Sequence, residues 1–343
     1  MTAPRVETFR GSAAEWDAAV QGFAGWTHMH LHGWRELLGE VFGHDCPYLV
    51  ARTPDGAISG VLPLVRVRSV LFGHYLVSMP FLNYGGPLGD ARAVRALAEH
   101  ATAMARRDGV KLLELRSRSP LDLPLEASQR KITMLLDLPA GEPDKLWKAL
   151  DSKLRSQIRK PQKEGVTVSF GADQVAPFFS VFARHMRDLG TPTMPLGFFQ
   201  AIARHFPGSS TFACAYLGEE PVAAGCAFRW GDEVEITWAS SLMAHKRIAP
   251  NMLLYWAFLE KSTREGARIF NFGRCSPGSG THRFKQQWGA RAEQLWWYGS
   301  SRGDGATTPA PTDSAYSLGP RVWKHLPVPI ATALGPHIVR GIP

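Results

Sequence analysis

The chain has 343 residues, long enough for two domains that each bury a core. Its 45% apolar and 20% charged content is a globular balance that excludes a disordered or collagen-like protein. Lys+Arg 39 against Asp+Glu 30 leaves a formal charge of +9, which favours anionic partners (phosphates, nucleic acid, a membrane surface) without choosing among them, and a plain solvated basic surface explains it equally well.

In chain order, "VETF" reads as a short strand, followed by helical stretches around 15–23 and 33–41 and the extended runs "YLVAR" and "GVLPLVRVRS". After the loop "MPFLNYGGPLGD", Ala, Leu and Met recur at helical spacing from about 91 to 108, and "KLLELRS" and "ITMLLDL" follow as strands. The second half repeats this order. A long basic helix over about 143–163 precedes the strand "VTVSF", and helices near 174–189 and 196–206 come next. The strands "TFACAYL", "VAAGCAFRW" and "VEITWAS" are joined by the turns "GEEP" and "GDE". A helix over 250–266 leads to "RIFNFGR", a glycine-rich bend, and a last strand "QLWWYG".

Two units with the same order predict an α+β protein with an internal duplication. The expected boundaries are 1–140, 141–300, and a C-terminal extension over 301–343. That extension begins as a Gly/Pro/Ser/Thr-rich linker over 301–320 and ends in a short amphipathic segment expected to pack back on the domains, with peripheral contact to a membrane surface as the alternative. Four scattered cysteines with no C-x-x-C, and an N-terminus without the apolar core of a signal peptide, lead to the expectation of a cytoplasmic protein with reduced thiols. The longest apolar runs, such as "MLLYWAFL", are too short to span a bilayer.

The stretch "NFGRCSPGSGTHRFKQQWGA" is the first candidate site. Two of its glycines stand five apart as in a Walker A loop, but Ser279 and Gly280 occupy the Lys and Ser/Thr positions, so nucleotide hydrolysis is not expected. A bend of this composition places backbone N–H groups and the side chains of Arg274, His282 and Lys285 near a cleft mouth, where they suit an oxyanion or phosphate. It equally suits an ordinary connection anchored by Phe284 and Trp288. Cys275 beside Arg274 is either an activated thiol or, more simply, a buried inert one.

The helix "DSKLRSQIRKPQKEG" gathers Lys153, Arg155, Arg159, Lys160 and Lys163, several at i,i+4 spacing, and Arg155 and Arg159 are the preferred phosphate ligands. In "HMHLHGW", His28, His30 and His32 alternate, which in a strand would align metal ligands. The helix that starts directly after them and the lack of a Cys or acidic partner argue against a metal, and none is assigned.

The combination "FNFGRCSPGSGTHRFKQQWGA", "APNMLLYWAFLEKSTREG" and "WKHLPVPIATALGP", with "HLHGW", "PFLNYGGPL" and "SKLRSQIRK" in the first half and at the junction, resembles the FemAB-like proteins of the GNAT acyltransferase superfamily, in the branch associated with exosortase and exopolysaccharide systems. The resemblance covers nearly the whole chain. It implies tandem GNAT-like domains of mixed, mostly antiparallel sheets flanked by helices, and transfer of an acyl or aminoacyl group to an amine on an anionic cell-envelope or exopolysaccharide precursor by direct attack in an inter-domain cleft. It places Phe284 and Lys285 at the transfer site, and His30, Trp34, Asn83 and Tyr84 along the acceptor cleft.

The glycine-rich pyrophosphate loop usual in that superfamily is replaced by Ala249-Pro250-Asn251, so Asn251 either caps the following helix or binds the donor. The resemblance implies no permanently bound cofactor, and it leaves acyl-CoA and aminoacyl-tRNA both open as donor. The rival reading is a catalytically silent GNAT-fold protein that binds a polysaccharide precursor or partner.

Overall fold

The computed structural model describes residues 4–69, 72–301 and 318–342; of the linker expected over 301–320, residues 302–317 lie outside the described part. The chain forms two units. The first takes residues up to Lys131, a strand beyond Gln294 and the last residues from His337, while the second takes Ile132–Glu293 and the helical residues up to Pro336.

The first unit runs β1 (Arg5–Thr8), α1 (Ala13–Gln21), α2 (Gly33–Phe42), β2 (Leu49–Arg52), β3 (Ile58–Leu62), β4 (Val65–Ser69), β5 (Gly73–Val77), β6 (Leu88–Gly89), α3 (Ala91–Arg107), β7 (Leu112–Ser117) and β8 (Glu126–Ser128). The second runs β9 (Ile132–Asp137), α4 (Pro143–Ala149), α5 (Ser152–Lys163), β10 (Val166–Phe170), α6 (Val175–Leu189), α7 (Leu196–His205), β11 (Ser210–Leu217), β12 (Glu220–Trp230), β13 (Glu233–Ser241), α8 (Pro250–Arg264), β14 (Ile269–Cys275), α9 (Gly280–Gln286) and β15 (Arg291–Gln294). Strand β16 (Trp296–Ser301) and helices α10 (Leu318–Trp323) and α11 (Val328–Val339) follow.

The duplication is visible in the pairing. The first unit has sheets ordered β1-β2-β3-β6 and β4-β5-β7-β16-β8, and the second has one sheet ordered β10-β11-β12-β13-β14-β9-β15. Each unit contains a parallel pair, formed after a helical crossover and only three residues long. Tyr75–Val77 pair with Leu112–Glu114 in the first, and Glu233–Glu235 with Asn271 and the two residues before it in the second.

Beyond the parallel pair, each sheet continues with an antiparallel strand that comes from a distant part of the chain. In the first unit this is β16, running from Trp296↔Ser117 to Ser301↔Leu112; in the second it is β9, with Ile269↔Asp137. β9, read from sequence as the close of the first domain, is thus part of the second unit's sheet, and the "QLWWYG" strand, read as the end of the second domain, builds the first.

Local sequence explains the helices of each unit. Asp90 caps α3 by accepting from the N–H of Arg92 and Ala93, an interaction worth about 1 kcal/mol, and Ala93, Leu97, Ala101 and Met104 face the core. The single helix expected over 143–163 is two. Leu150 is extended (φ −67°, ψ 145°), and Asp151 then caps α5 through the N–H of Lys153 at 2.7 Å. The break lets Leu154 and Ile158 of α5 join Leu253, Leu254, Phe258 and Phe270 in the second unit's core.

Candidate active site

Strands β13 and β14 pair through only three residues and then separate, because β13 goes on to Ser241 beside β12 while β14 goes on to Cys275 beside β9. The separation opens a gap in the middle of a sheet. At its vertex stand Glu235 and Asn271, register partners that are both fully buried.

The path of β14 at the vertex is set by a bulge. Its register with β9 shifts between Asn271 and Arg274, and Gly273 takes φ +73°, a left-handed backbone that costs an L side chain roughly 1–2 kcal/mol. The Asn271 side chain compensates for the broken ladder. Its Oδ1 accepts from the Gly273 N–H at 2.8 Å and from Thr133 Oγ1 at 2.7 Å, and its Nδ2 donates to Glu233 Oε1 at 2.7 Å.

The bulge turns two carbonyls toward α9, and Lys285 Nζ donates to both, to Gly273 O at 2.7 Å and Arg274 O at 3.0 Å. Lys285 is buried, 6% exposed, and burial lowers its amine to about 8, against the opposing pull of Cys275 and Glu235. An ammonium has three N–H donors, so two are spent on the bulge and one remains. Phe284, the preceding residue, packs on Tyr255 with ring centroids 4.9 Å apart, next to Trp288.

The glycine-rich bend is more self-contained than its composition suggests. The Gly278 N–H is taken by His282 Nδ1 at 3.0 Å and the Ser279 N–H by Ser276 O at 3.2 Å, while Ser279 Oγ caps α9 at the His282 N–H. The oxyanion donors expected from the bend's backbone are therefore engaged at these two residues. Lys285, on the helix that follows the bend, keeps one N–H beyond the two given to the bulge carbonyls.

Basic residues gather on the α8 side of the gap. A 3-10 turn over Met243–Ile248 leads into α8, and Ala249 caps the helix in a left-handed conformation (φ +53°) with no side-chain bond. Asn251 is consequently not the cap; it lies half-buried in the first turn. Lys160 of α5 donates from Nζ to the carbonyl of Arg247, which sets Lys160, Lys246 and Arg247, all exposed, at the positive end of a 15-residue helix. Two favourable terms for an anion, side-chain charge and helix dipole, coincide there.

The preferred arginines of α5 have different work. Arg155 Nη1 donates to Lys148 O and Leu150 O, each at 3.0 Å, and so closes the end of α4; Arg159 lies over the Trp147 ring at 5.2 Å. Lys160 is the α5 residue that the fold brings to the α8 turn, and the i,i+4 charge pattern could not have told it from its neighbours.

In the first unit, His28 and His30 fall in a 3-10 turn over His28–His30 and His32 at the N-cap of α2, so the alternate histidines do not lie in a strand. His30 Nε2 meets Gly86 O at 3.1 Å and its Nδ1 meets the Thr27 N–H at 3.1 Å, with burial lowering the ring to about 4. Trp34 is fully buried and donates from Nε1 to His28 O at 3.0 Å. Tyr84 is 1% exposed under the Arg118 guanidinium, and Asn83 is also buried.

Of the four residues expected along an acceptor cleft, His30 alone lines the small cavity of about 110 Å³ next to Gly86, Arg116 and Ser117. Trp34 and Tyr84 are core residues of their own unit. The sequence reading missed Glu235, Asn271 and Thr133, whose roles depend on pairings across more than 30 residues.

The family described as acetyltransferase (GNAT) domain matches residues 149–286. No curated protein matches the sequence. Among solved structures, FemX is similar at a TM-score of 0.64 and 14% identity, covering 85% of this chain and 97% of its own. L-PGS from Bacillus licheniformis is similar at 0.53 and 15%, covering 98% of both chains. A tandem GNAT protein from the clavulanic acid biosynthesis pathway is similar at 0.54 and 12%, covering 88% of this chain and 99% of its own. These identities speak for the fold, and the matched domain contains α5, the β13/β14 gap and Lys285. Residues 149–286 thus match a GNAT acetyltransferase domain, and the chain as a whole shares the tandem GNAT-like fold of these structures.

Proposed function

We propose that the protein transfers an activated acyl or aminoacyl group to an amine of an anionic cell-envelope or exopolysaccharide precursor, at the gap between β13 and β14. The observation that carries this reading is the buried Lys285, fixed by the two bulge carbonyls with one N–H left, beside a buried carboxylate at the vertex.

The acceptor nitrogen attacks the donor carbonyl carbon, a C–N bond forms as the C–S or C–O bond to the leaving group breaks, and the amine gives up a proton. In this reading Glu235, whose charge acts on Lys285, takes that proton. The third N–H of Lys285 stabilises the negative charge that develops on the carbonyl oxygen, a contribution typically worth 10²–10³ in rate. Lys160, Lys246 and Arg247 at the α8 turn suit the phosphates of the donor, acyl-CoA or aminoacyl-tRNA, and Asn251 lies within the same first turn.

The test is a transfer assay read by mass spectrometry. Purified full-length protein is incubated with acyl-CoA or aminoacyl-tRNA and nucleotide-linked amino sugars or peptides as acceptors. Formation of an amide product with one donor class, reduced at least 100-fold in Glu235→Gln, supports the assignment. Equal product from wild type and Glu235→Gln removes the carboxylate from the mechanism.

A further inference from the structure

Five large apolar side chains are exposed among the described residues: Leu189, Met243, Val322, Ile330 and Leu334. Three of them lie on α10 and α11. Leu189 ends α6, and the adjoining Gly190 packs so tightly on Pro320 of α10 that a Cβ there would stand 2.5 Å from the Pro320 carbonyl oxygen. Arg187 Nη1 donates to Leu326 O at 2.8 Å and fixes the α10–α11 connection to the same helix.

One face of α11 is seated on the protein. Ala331 is 2% exposed, and Gly335 lies against Thr193, where a Cβ would meet the backbone at 2.8 Å. Ile330 and Leu334, one turn apart, project from another face, each 47% exposed. The charged residues that α10 and α11 themselves carry are of one sign. Arg321, Lys324 and His325 are exposed beside Val322, His337 is exposed one turn beyond Leu334, and no Asp or Glu occurs from Leu318 to Ile342.

We infer that the α10–α11 face is a docking surface for an anionic membrane. An apolar row of this kind, flanked within its own two helices only by basic groups, fits a bilayer interface in which the aliphatic side chains enter the headgroup boundary while Arg321 and Lys324 meet lipid phosphates. The absence of acidic residues supplies the charge complementarity, and the seating of α11 through Ala331 and Gly335 keeps the row turned outward. Among the described residues no helix is long and apolar enough to cross a membrane, so the contact is interfacial.

The test is cosedimentation of the full-length protein with vesicles of phosphatidylglycerol and phosphatidylcholine, compared with phosphatidylcholine alone. The wild type is expected to bind the anionic vesicles, to lose most of that binding in high salt, and to leave the neutral vesicles largely unbound. The pair Ile330→Asp with Leu334→Asp, and separately Arg321→Glu with Lys324→Glu, should each weaken binding at least ten-fold, at roughly five-fold per basic residue lost. Both pairs lie on exposed positions, and an unchanged thermal midpoint confirms that the fold is intact. Failure of the wild type to bind anionic vesicles overturns the inference, as does binding that both variants retain. A concentration-dependent dimer that the Asp pair abolishes, without vesicle binding, assigns the face to a second copy of the chain and likewise overturns it.

Discussion

Lys285 carries more of the account than any other side chain, and its environment sets two expectations. Its ammonium holds the carbonyls of Gly273 and Arg274, so Lys285→Ala leaves both without that donor in a buried setting and should lower stability by roughly 2–4 kcal/mol in a denaturant titration. The second expectation concerns pH. With its amine lowered to about 8 from 10.5, Lys285 in the folded chain loses its proton well before it does in the unfolded chain. Between about 8 and 10.5 the unfolded state binds more protons, so this residue makes the fold more stable as pH rises through that window; below 8 the charged, buried form is a standing cost. The transfer rate should move the opposite way, falling as pH rises through about 8 because the charged donor is lost. In Lys285→Arg, which stays protonated, that fall should vanish from the rate profile even if the rate itself is lower. The lysine and its neighbour Phe284 could be read from "THRFKQQWG", but the carbonyls that hold the lysine could not, since a left-handed Gly273 shows in sequence only as one glycine among several.

At the scale of elements, the β14 bulge is the device that aims the site. Asn271 closes it with three side-chain hydrogen bonds, and Asn271→Ala should destabilise by about 3 kcal/mol while reducing transfer, because Gly273 and Arg274 are then free to return to regular pairing with β9. Gly273→Ala should cost roughly 1–2 kcal/mol through its positive φ alone, with a matching loss of rate. A variant that loses stability without losing transfer would separate the bulge from the chemistry. Helices were legible where a cap and an apolar period coincide, as at Asp90 and through α3. The Asp-Ser pair at 151–152 does not mark the break between α4 and α5 in the sequence, although Asp151 is a good cap, because the charge run continues across it. The exchange of β9 and β16 had no local signal at all: a strand's composition states that it pairs, not with which sheet.

For the whole molecule, the +9 charge is not evenly useful. Lys160, Lys246 and Arg247 meet at the α8 turn, while Arg66 is tied to Asp45 and Asp108, and Arg116 is buried against Glu114. Donor binding should therefore weaken steeply with salt, and Lys160→Glu combined with Arg247→Glu should raise the KM for the donor at least ten-fold with little change in kcat, measured with either donor class. The duplication was legible as a repeated order of elements; that both units keep the same three-residue parallel pair, with one pair opening at Glu235 and Asn271, needed the register.

The most direct measurement is single-turnover transfer by wild type, Lys285→Ala and Lys285→Arg at pH 7, with donor saturating and folding verified. The account predicts a 10²–10³-fold loss in the alanine variant and partial recovery in the arginine variant. Transfer by folded Lys285→Ala at the wild-type rate would contradict it.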